Sequence, residues 1–271
     1  MEKLTFTKMH GCGNDFIVFE PEAVEGLDLA ELARRACDRH FGIGADGILI
    51  PAPSGVADLR MIYHNSDGSC AEMCGNGLRC LVRYARDRGI IKPAELTVET
   101  GAGVKRVWLR EDGSSTVEMG PPEVGDVVSL HGYEFLKVSM GNPHAVCVLE
   151  SEEEVNGLDL SGIGPLVERD PAFPEGTNVE FLYGQGGSDV RMRIWERGAG
   201  ETLASGSGSC ASAVAAITLG KARSPVRVNL DGGTVEVTWD DGESPVYMSG
   251  PAEYAFEGKL SSVLQRTGVR G

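Results

Sequence analysis

The sequence predicts an α+β protein of two halves on one plan, each a set of short antiparallel strands with one main buried helix. Three observations lead there. A polar turn followed by a helix start rich in small residues occurs twice. Most of the remaining chain alternates in short apolar runs broken by Gly and Asp-Gly turns, the pattern of hairpin-linked strands. In each half, one main run keeps its apolar residues at helical spacing.

The first copy runs from Met61 to Cys80, MIYHNSDGSCAEMCGNGLRC. A strand-like stretch, Met61 to Tyr63, leads into the turn His64-Asn65-Ser66-Asp67-Gly68. Cys74-Gly75-Asn76-Gly77 then opens a helix that carries Leu78, Leu81, Val82, Tyr84 and Ala85 and stops near Gly89 and Pro93. A thiol placed there meets unpaired N–H groups and the positive end of the helix dipole, which favour a thiolate and can hold a carboxylate. The competing reading makes Cys74 a buried small hydrophobe, the commoner fate of a lone cysteine. The glycines beside it favour a site, because they let a ligand approach the backbone.

The second copy begins at Arg193. Arg193-Ile194-Trp195 answers Met61-Ile62-Tyr63, and Glu196-Arg197 answers His64-Asn65. Ser205-Gly206-Ser207-Gly208 answers Cys74-Gly75-Asn76-Gly77. Upstream, Gly13-Asn14-Asp15-Phe16 and Gly141-Asn142-Pro143-His144 each precede an apolar strand. Asn14 stands 60 positions before Cys74, and Asn142 stands 63 before Ser205. Two halves of this kind would set two helix N-termini facing each other across a cleft.

In chain order, Phe6 to Met9 and Phe16 to Phe19 read as strands around a Gly-Cys-Gly-Asn turn. Asp28 is an N-cap for a helix with Leu29, Leu32, Ala33 and Ala36 on one face. Phe41 to Gly47, FGIGADG, is glycine-rich but lacks the Gly-Lys-Ser/Thr ending of a phosphate loop and is followed by a strand, Ile48 to Ile50. It reads as a turn lining a site. Leu96 to Glu99, Lys105 to Leu109 and Thr116 to Met119 follow as strands. Gly120-Pro121-Pro122 and the acidic, turn-rich section after it mark a boundary, giving halves 1–122 and 123–249, with 250–271 returning to the first. In the second half Tyr133 to Ser139, Ala145 to Leu149, Phe181 to Tyr183 and Val190 to Trp195 are strands. An irregular helical section opens at Asp159 or Ser161, and an alanine-rich helix covers Cys210 to Leu219. Val226 to Leu230, Thr234 to Trp239 and Val246 to Ser249 complete the sheet.

The 271 residues suffice for two modest cores. A formal net charge of −15 argues against a nucleic-acid partner, which calls for basic patches. The N-terminus lacks the apolar core of a signal peptide, and no apolar run is long enough to span a bilayer, so a soluble, cytoplasmic protein is expected. The seven cysteines are odd in number and include no Cys-x-x-Cys pair, which argues against both a disulfide framework and a zinc site. Most of them read as small hydrophobes, with Cys74 the exception.

Together HGCGNDF, GIGADG, NSDG…CGNGLRC, SMGNPH, FPEGTNV and ERGAGET, in this order over residues 10 to about 202, resemble diaminopimelate epimerase. The Gly-Ala-Asp-Gly and Glu-Met-Cys-Gly-Asn-Gly wordings look closest to the plant and cyanobacterial branch of that family. The resemblance implies two pseudo-symmetric domains, each a mostly antiparallel barrel-like sheet wrapped around a central helix, with the active site in the cleft between them. It implies interconversion of LL- and meso-diaminopimelate without cofactor or metal, by a homodimer, on the route to lysine and cell-wall cross-links. The residues fit such chemistry. An α-proton is weakly acidic, and with no pyridoxal-phosphate or metal motif the protein needs a base on one face, an acid on the other and fixed dipoles at the carboxylate.

Carried over by position, the resemblance makes Cys74 one acid/base. The amides of Gly75-Asn76 and Gly206-Ser207 would bind the reacting carboxylate, and Asn14 would hold the α-amino group, with Asn142 as its counterpart. Asn65, Asn178 and Arg197 would grip the far amino-acid group, where a guanidinium fork suits a carboxylate. Glu196 would contact the far ammonium or help position the catalytic pair, and His144 would act similarly. Plainer readings compete: Asn65 and Asn178 as turn formers, Glu196-Arg197 as a surface pair, His144 as a strand-end histidine.

One position departs from the family. Its second catalytic cysteine belongs where this chain has Ser205, and Cys210 lies too far into the helix to replace it. A hydroxyl fits the space but is a far weaker acid than a thiol. The chain is then a Cys→Ser form of an ordinary epimerase, the reading the intact motifs favour, or a natural member that is slow or altered. Two further readings stand beside these: a racemase of proline, hydroxyproline or histidine, disfavoured by the far-end grip, and a catalytically silent amino-acid-binding relative.

Overall fold

The computed structural model describes residues 3–70 and 72–261. The described chain divides into two compact units, one formed by residues up to Ser115 with the segment from Pro251 on, the other by Thr116–Gly250.

The first unit holds β1 (Leu4–Gly11), β2 (Asn14–Val18), α1 (Leu29–Ala36), β3 (Gly47–Ala52), β4 (Leu59–Asn65), α2 (Gly75–Asp87), β5 (Glu95–Thr100) and β6 (Gly103–Leu109). Here β1 runs antiparallel to β2, β2 parallel to β3, β3 antiparallel to β4, β4 parallel to β5, and β5 antiparallel to β6. Gly11 and Asn14 pair across a turn whose central residues, Cys12 (φ 53°) and Gly13 (φ 83°), both take positive φ. That turn matches the twist of a hairpin and delivers Asn14 as the first residue of β2.

Side chains along these strands alternate between two helices. Ile17, Phe19, Ile48 and Ile50 pack with Leu32, Ala33 and Ala36 of α1, which Asp28 caps by accepting from the Glu31 N–H at 3.1 Å. On the other face Phe16, Leu49 and Met61 surround Gly77 at the start of α2. That helix buries Leu78, Cys80, Leu81, Val82, Tyr84 and Ala85 against β1, β2 and β3.

The second unit holds β7 (Ser115–Gly120), β8 (Glu123–Leu130), β9 (Tyr133–Ser139), β10 (Pro143–Val148), α3 (Glu152–Gly157), α4 (Leu160–Glu168), β11 (Asn178–Gly184), β12 (Gly187–Glu196), β13 (Gly200–Thr202), α5 (Gly206–Thr218), β14 (Ala222–Leu230), β15 (Gly233–Thr238) and β16 (Val246–Gly250). The plan of the first unit recurs: β9 antiparallel to β10, β10 parallel to β11, β11 antiparallel to β12, β12 parallel to β14, and β14 antiparallel to β15. The added strand β13 pairs with the end of β12. α5 packs on β9, β10, β11, β12, β14, β15 and β16, burying Cys210, Ala211, Ala213, Val214, Ala215 and Ala216. Leu160 and Val167 of α4 cover the opposite face over Phe135, Val179 and Phe181.

Several elements extend or correct the sequence reading. β7 pairs with β16, so Thr116–Gly120 belongs with the second unit, and the chain divides after Ser115 rather than at 122. The acidic section after Pro122 is a strand, β8, joined to β9 by a hairpin with positive φ at His131 and Gly132. The expected helical section is α4, capped by Asp159, and a short helix that the sequence reading lacked, α3, precedes it. Beyond Pro251, β17 (Glu253–Leu260) pairs antiparallel with β1 from Leu4↔Leu260 to His10↔Glu253. Residues 262–271 of the expected return segment lie outside the described residues.

Candidate functional site

Each unit has a cluster of candidate residues at the start of its central helix. In the first, Cys74 is the N-cap of α2 (φ −141°, ψ 118°), and its Sγ accepts from the Gly77 N–H at 3.5 Å. In the second, Ser205 is the N-cap of α5 (φ −135°, ψ 128°), and its Oγ accepts from the Gly208 N–H at 3.3 Å. The backbone shape and the amide served are the same, so position 205 is built as position 74 is, with oxygen in place of sulfur. Gly75 and Gly206 are the first residues of their helices and are buried, which keeps their amides out of solvent.

Around Cys74 the partners are polar. Asn14 Oδ1 accepts from Cys74 Sγ at 3.4 Å and from Asn76 Nδ2 at 3.2 Å, while Asn14 Nδ2 donates to Asp46 Oδ2 at 2.6 Å. Asn76 Oδ1 accepts from Arg79 at 2.7 Å, and the fully buried Arg79 also donates to the Pro251 carbonyl at 3.1 Å. Asn65 stays within its own turn, donating from Nδ2 to Ser69 Oγ at 3.0 Å.

Around Ser205 the chain of bonds runs through Asn142. Its Nδ2 donates to Ser207 Oγ at 3.3 Å, and its Oδ1 lies 3.1 Å from His144 Nε2. His144 Nδ1 lies 2.6 Å from Glu180 Oε1, and both side chains are sealed from solvent. Burial pushes the Glu180 carboxyl up, with His144 working against the shift. Its Oε2 is buried and has no hydrogen-bond partner among the described residues, which suits an uncharged carboxyl better than a carboxylate. A neutral Glu180 donates to His144 Nδ1, leaving the Nε2–H to donate to Asn142 Oδ1.

Asn178 and Arg197 come together, though through backbone. Asn178 Oδ1 accepts from the Arg197 N–H at 2.9 Å, and its Nδ2 donates to the Pro143 carbonyl at 3.0 Å. The exposed Arg197 guanidinium donates to the Glu175 carbonyl at 2.9 Å. Glu196 accepts from Thr202 Oγ1 at 2.6 Å, pinning the strand before the turn. Glu168 braces that turn from behind, accepting from Trp195 Nε1 at 2.7 Å and from the Gly198 N–H at 3.0 Å.

Three residues here were missed by sequence reasoning: Asp46, Glu168 and Glu180. Asp46 lies in the Gly-Ala-Asp-Gly turn already marked as lining a site, and Glu180 falls two residues after Asn178; neither position had a local signal of its own. Burial pushes the thiols of Cys37, Cys80 and Cys147 up to about 12, which makes them apolar packing groups. Cys74, by contrast, is half-buried at a helix start. Among the described residues no group of three or more His, Cys, Asp or Glu comes together as a metal site, and no helix is long and apolar enough to cross a membrane.

The chain resembles known proteins along almost its whole length. The family model for diaminopimelate epimerase matches residues 6–125 and again 136–255, one match to each repeat. The diaminopimelate epimerase of Desulfitobacterium hafniense is 43% identical over 95% of this chain and 98% of that protein, and that of Desulfovibrio desulfuricans is 44% identical over 94% and 98%. Among solved structures, a PhzF-family phenazine biosynthesis protein of Bacillus anthracis superposes with a TM-score of 0.78 at 18% identity, covering 97% of this chain and 100% of that one. A probable proline racemase from Agrobacterium radiobacter gives 0.69 at 17%, covering 95% and 93%. These two likenesses establish the two-repeat fold alone. With a family match on both repeats and relatives above 40% identity end to end, the chain belongs to the diaminopimelate epimerase family.

Proposed function

We propose that this protein acts on diaminopimelate and interconverts its LL and meso forms by a two-base route that needs neither pyridoxal phosphate nor a metal, with turnover impaired by Ser205. The observation that carries this reading is the matched capping of α2 by Cys74 and α5 by Ser205. Removing an α-proton calls for one group that accepts it and one that donates on the opposite face. Cys74 and the residue at 205 are those groups. Charge that develops on the substrate carboxylate meets the amides of Gly75, Asn76, Gly206 and Ser207 at the positive ends of the two helices. Asn14 Oδ1 takes the α-ammonium, and Asn142 Nδ2 supports the carboxylate side. Asn65, Asn178 and Arg197 take the far amino-acid group, with Glu196 beside them and His144 behind Asn142. The enzyme is a homodimer of the cytoplasm in this reading, which light scattering and fractionation would check.

Ser205 favours a second reading, a protein that binds the amino acid without turning it over. A hydroxyl is too weak an acid to ionise as a thiol does, so it makes a poor base. Deuterium uptake at the α-carbon of each isomer, with and without Ser205→Cys, separates the two. The epimerase reading expects slow uptake that depends on the isomer, and a gain of about 10²–10⁴-fold with cysteine at 205, the range spanned by acid–base groups. Calorimetry should show meso-diaminopimelate binding where proline and histidine do not. Binding without any gain on restoring the thiol would leave the silent reading standing.

A further inference from the structure

Asn14 is held from two sides, and the side away from Cys74 dictates the other. Asp46 Oδ2 takes the Asn14 Nδ2 hydrogen at 2.6 Å. A carboxylate only accepts, so it leaves the amide one orientation, with nitrogen toward Asp46 and oxygen toward Cys74 Sγ at 3.4 Å. Asp46 is itself fixed. Arg39 donates to its Oδ1 at 2.9 Å, the Asp15 N–H donates to its Oδ2 at 3.1 Å, and its own N–H donates to the Asp15 carbonyl at 2.9 Å.

Asp15 completes the frame. Arg39 meets its two oxygens at 2.9 and 3.2 Å, and Lys8 Nζ lies 2.7 Å from Oδ2. Burial works to raise the Asp15 carboxyl, but the bonds from Arg39 and Lys8 outweigh it and hold the group below the usual carboxylate range. Asp15 therefore stays ionised and keeps Arg39 over Asp46.

We propose that Asp46 is a positioning residue for Cys74, holding Asn14 with its carbonyl oxygen toward the thiol so that Cys74 rests as a hydrogen-bond donor. A hydrogen-bond acceptor beside a thiol favours S–H over S⁻, whereas a turned amide would offer Nδ2 and favour the thiolate. The frame thus opposes the pull of the helix start, where the Gly77 N–H faces Sγ at 3.5 Å. The inference concerns the resting protein, needs no substrate and stands apart from the function proposed above.

The other charged groups tied into this frame are Arg79 on α2, through Asn76, and Asp15 on β2, Lys8 on β1 and Arg39 in the loop between α1 and β3, through Asp46, while Glu253 on β17 acts on the neighbouring Cys12. Burial raises the Cys12 thiol and pushes that of Cys80 to about 12, whereas Cys70 is exposed four residues before Cys74. The label on Cys74 is therefore read apart from that on Cys70 by fragment ions within the peptide they share.

The test is the pH midpoint of Cys74 alkylation, read peptide by peptide by mass spectrometry. Four proteins are compared: the protein itself, Asp46→Asn, Asn14→Ala and the double variant. An asparagine at 46 can present either oxygen or nitrogen, which removes the demand on Asn14 Nδ2 and leaves the 3.2 Å bond from Asn76 Nδ2 to oppose a turn of the amide. The midpoint should fall by about one pH unit in Asp46→Asn, a tenfold change in thiolate at a given pH, and should not fall when Asn14 is already Ala. Should Asp46→Asn fail to fold, Asp46→Ser, whose hydroxyl both donates and accepts, gives the same comparison. An equal fall in both backgrounds would mean the lost charge acts on the thiol directly, and no fall in either would mean that Asp46 does not position Asn14 against it. Either result overturns the proposal.

Discussion

Asn14 and Asn142 occupy matching places in the two repeats, and their amides are turned opposite ways. Asn14 turns Oδ1 toward its helix start, where Cys74 and Asn76 donate to it; Asn142 turns Nδ2 toward its own, donating to Ser207 Oγ at 3.3 Å. The cause sits behind each amide. Asp46 takes the nitrogen of Asn14, and His144 Nε2 takes the oxygen of Asn142 at 3.1 Å. A backbone plan that repeats is thus broken by a carboxylate in one copy and an imidazole in the other. One helix start offers an acceptor, suited to an ammonium, and the other a donor, suited to a carboxylate.

The imidazole is held by Glu180 at 2.6 Å, and that carboxyl has a consequence for stability. Burial raises the Glu180 carboxyl, so the folded protein binds that proton more tightly than the unfolded chain does. The contribution is then full below the ordinary carboxylate range, about pH 4, and is lost as pH climbs through the raised folded value. The urea midpoint should decline with rising pH above that range, and decline less in Glu180→Gln, whose amide cannot ionise yet still donates to His144. Identical pH slopes for the two proteins would count against an uncharged Glu180.

Arg197 offers a prediction on binding. Its guanidinium is exposed and, among the described residues, holds the Glu175 carbonyl, which leaves donors to meet a ligand carboxylate. A charged hydrogen bond of this kind contributes about 1.5–3 kcal/mol, or roughly 10- to 100-fold in affinity. Arg197→Met should weaken calorimetric binding of meso-diaminopimelate by that factor and leave the thermal midpoint almost unchanged. Undiminished affinity would move the far-end grip to another residue.

Gly42 anchors the loop that carries Arg39 and Asp46. A Cβ there would stand 2.6 Å from the Ala36 carbonyl oxygen and 2.8 Å from that of Asp38, both backbone atoms at the end of α1 that cannot swing aside. Gly42→Ala should cost about 1–3 kcal/mol, the usual toll of overpacking. Gly55, where a Cβ meets nothing within 4 Å, is the control. Gly55→Ala should stay within about 0.5 kcal/mol. Denaturant titrations of both would decide, and equal losses would show that the loop yields.

What the sequence revealed, and what it hid, follows from how each element is held. The cap positions 74 and 205 and the asparagines that lead into strands, Asn14 and Asn142, were legible because the repeat shows them twice. β8 was not: Val124 and Val127 are exposed, Val128 and Leu130 reach the core only half-buried, and pairing to β9 makes it a strand. α3 buries only Val155, and its signal is the Ser151 cap rather than a period. The start of α5, Gly206-Ser207-Gly208-Ser209, is poor in helix formers, so the pattern became clear only at Cys210. The Ser205 cap and packing on seven strands override propensity there. Asp46, Glu168 and Glu180 were hidden because each acts through another side chain, and a single carboxylate among 40 acidic residues leaves no local trace of its partner.

Arg79 ties the helix that bears Cys74 to the returning end of the chain, and its removal should be costly. The side chain is fully buried; it donates to the Pro251 carbonyl at 3.1 Å and to Asn76 Oδ1 at 2.7 Å. Hydrogen bonds from a charged donor contribute about 1.5–3 kcal/mol each, and the abandoned acceptors stay buried. Arg79→Met keeps much of the volume but none of the donors, so a loss of about 3 kcal/mol or more in denaturant titration is expected. Because β17 follows Pro251 directly, amide exchange along Glu253–Leu260 should accelerate more than exchange in β14 and β15 of the other unit. Uniform acceleration throughout the chain would mean that Arg79 supports the fold as a whole and has no special hold on the returning strand.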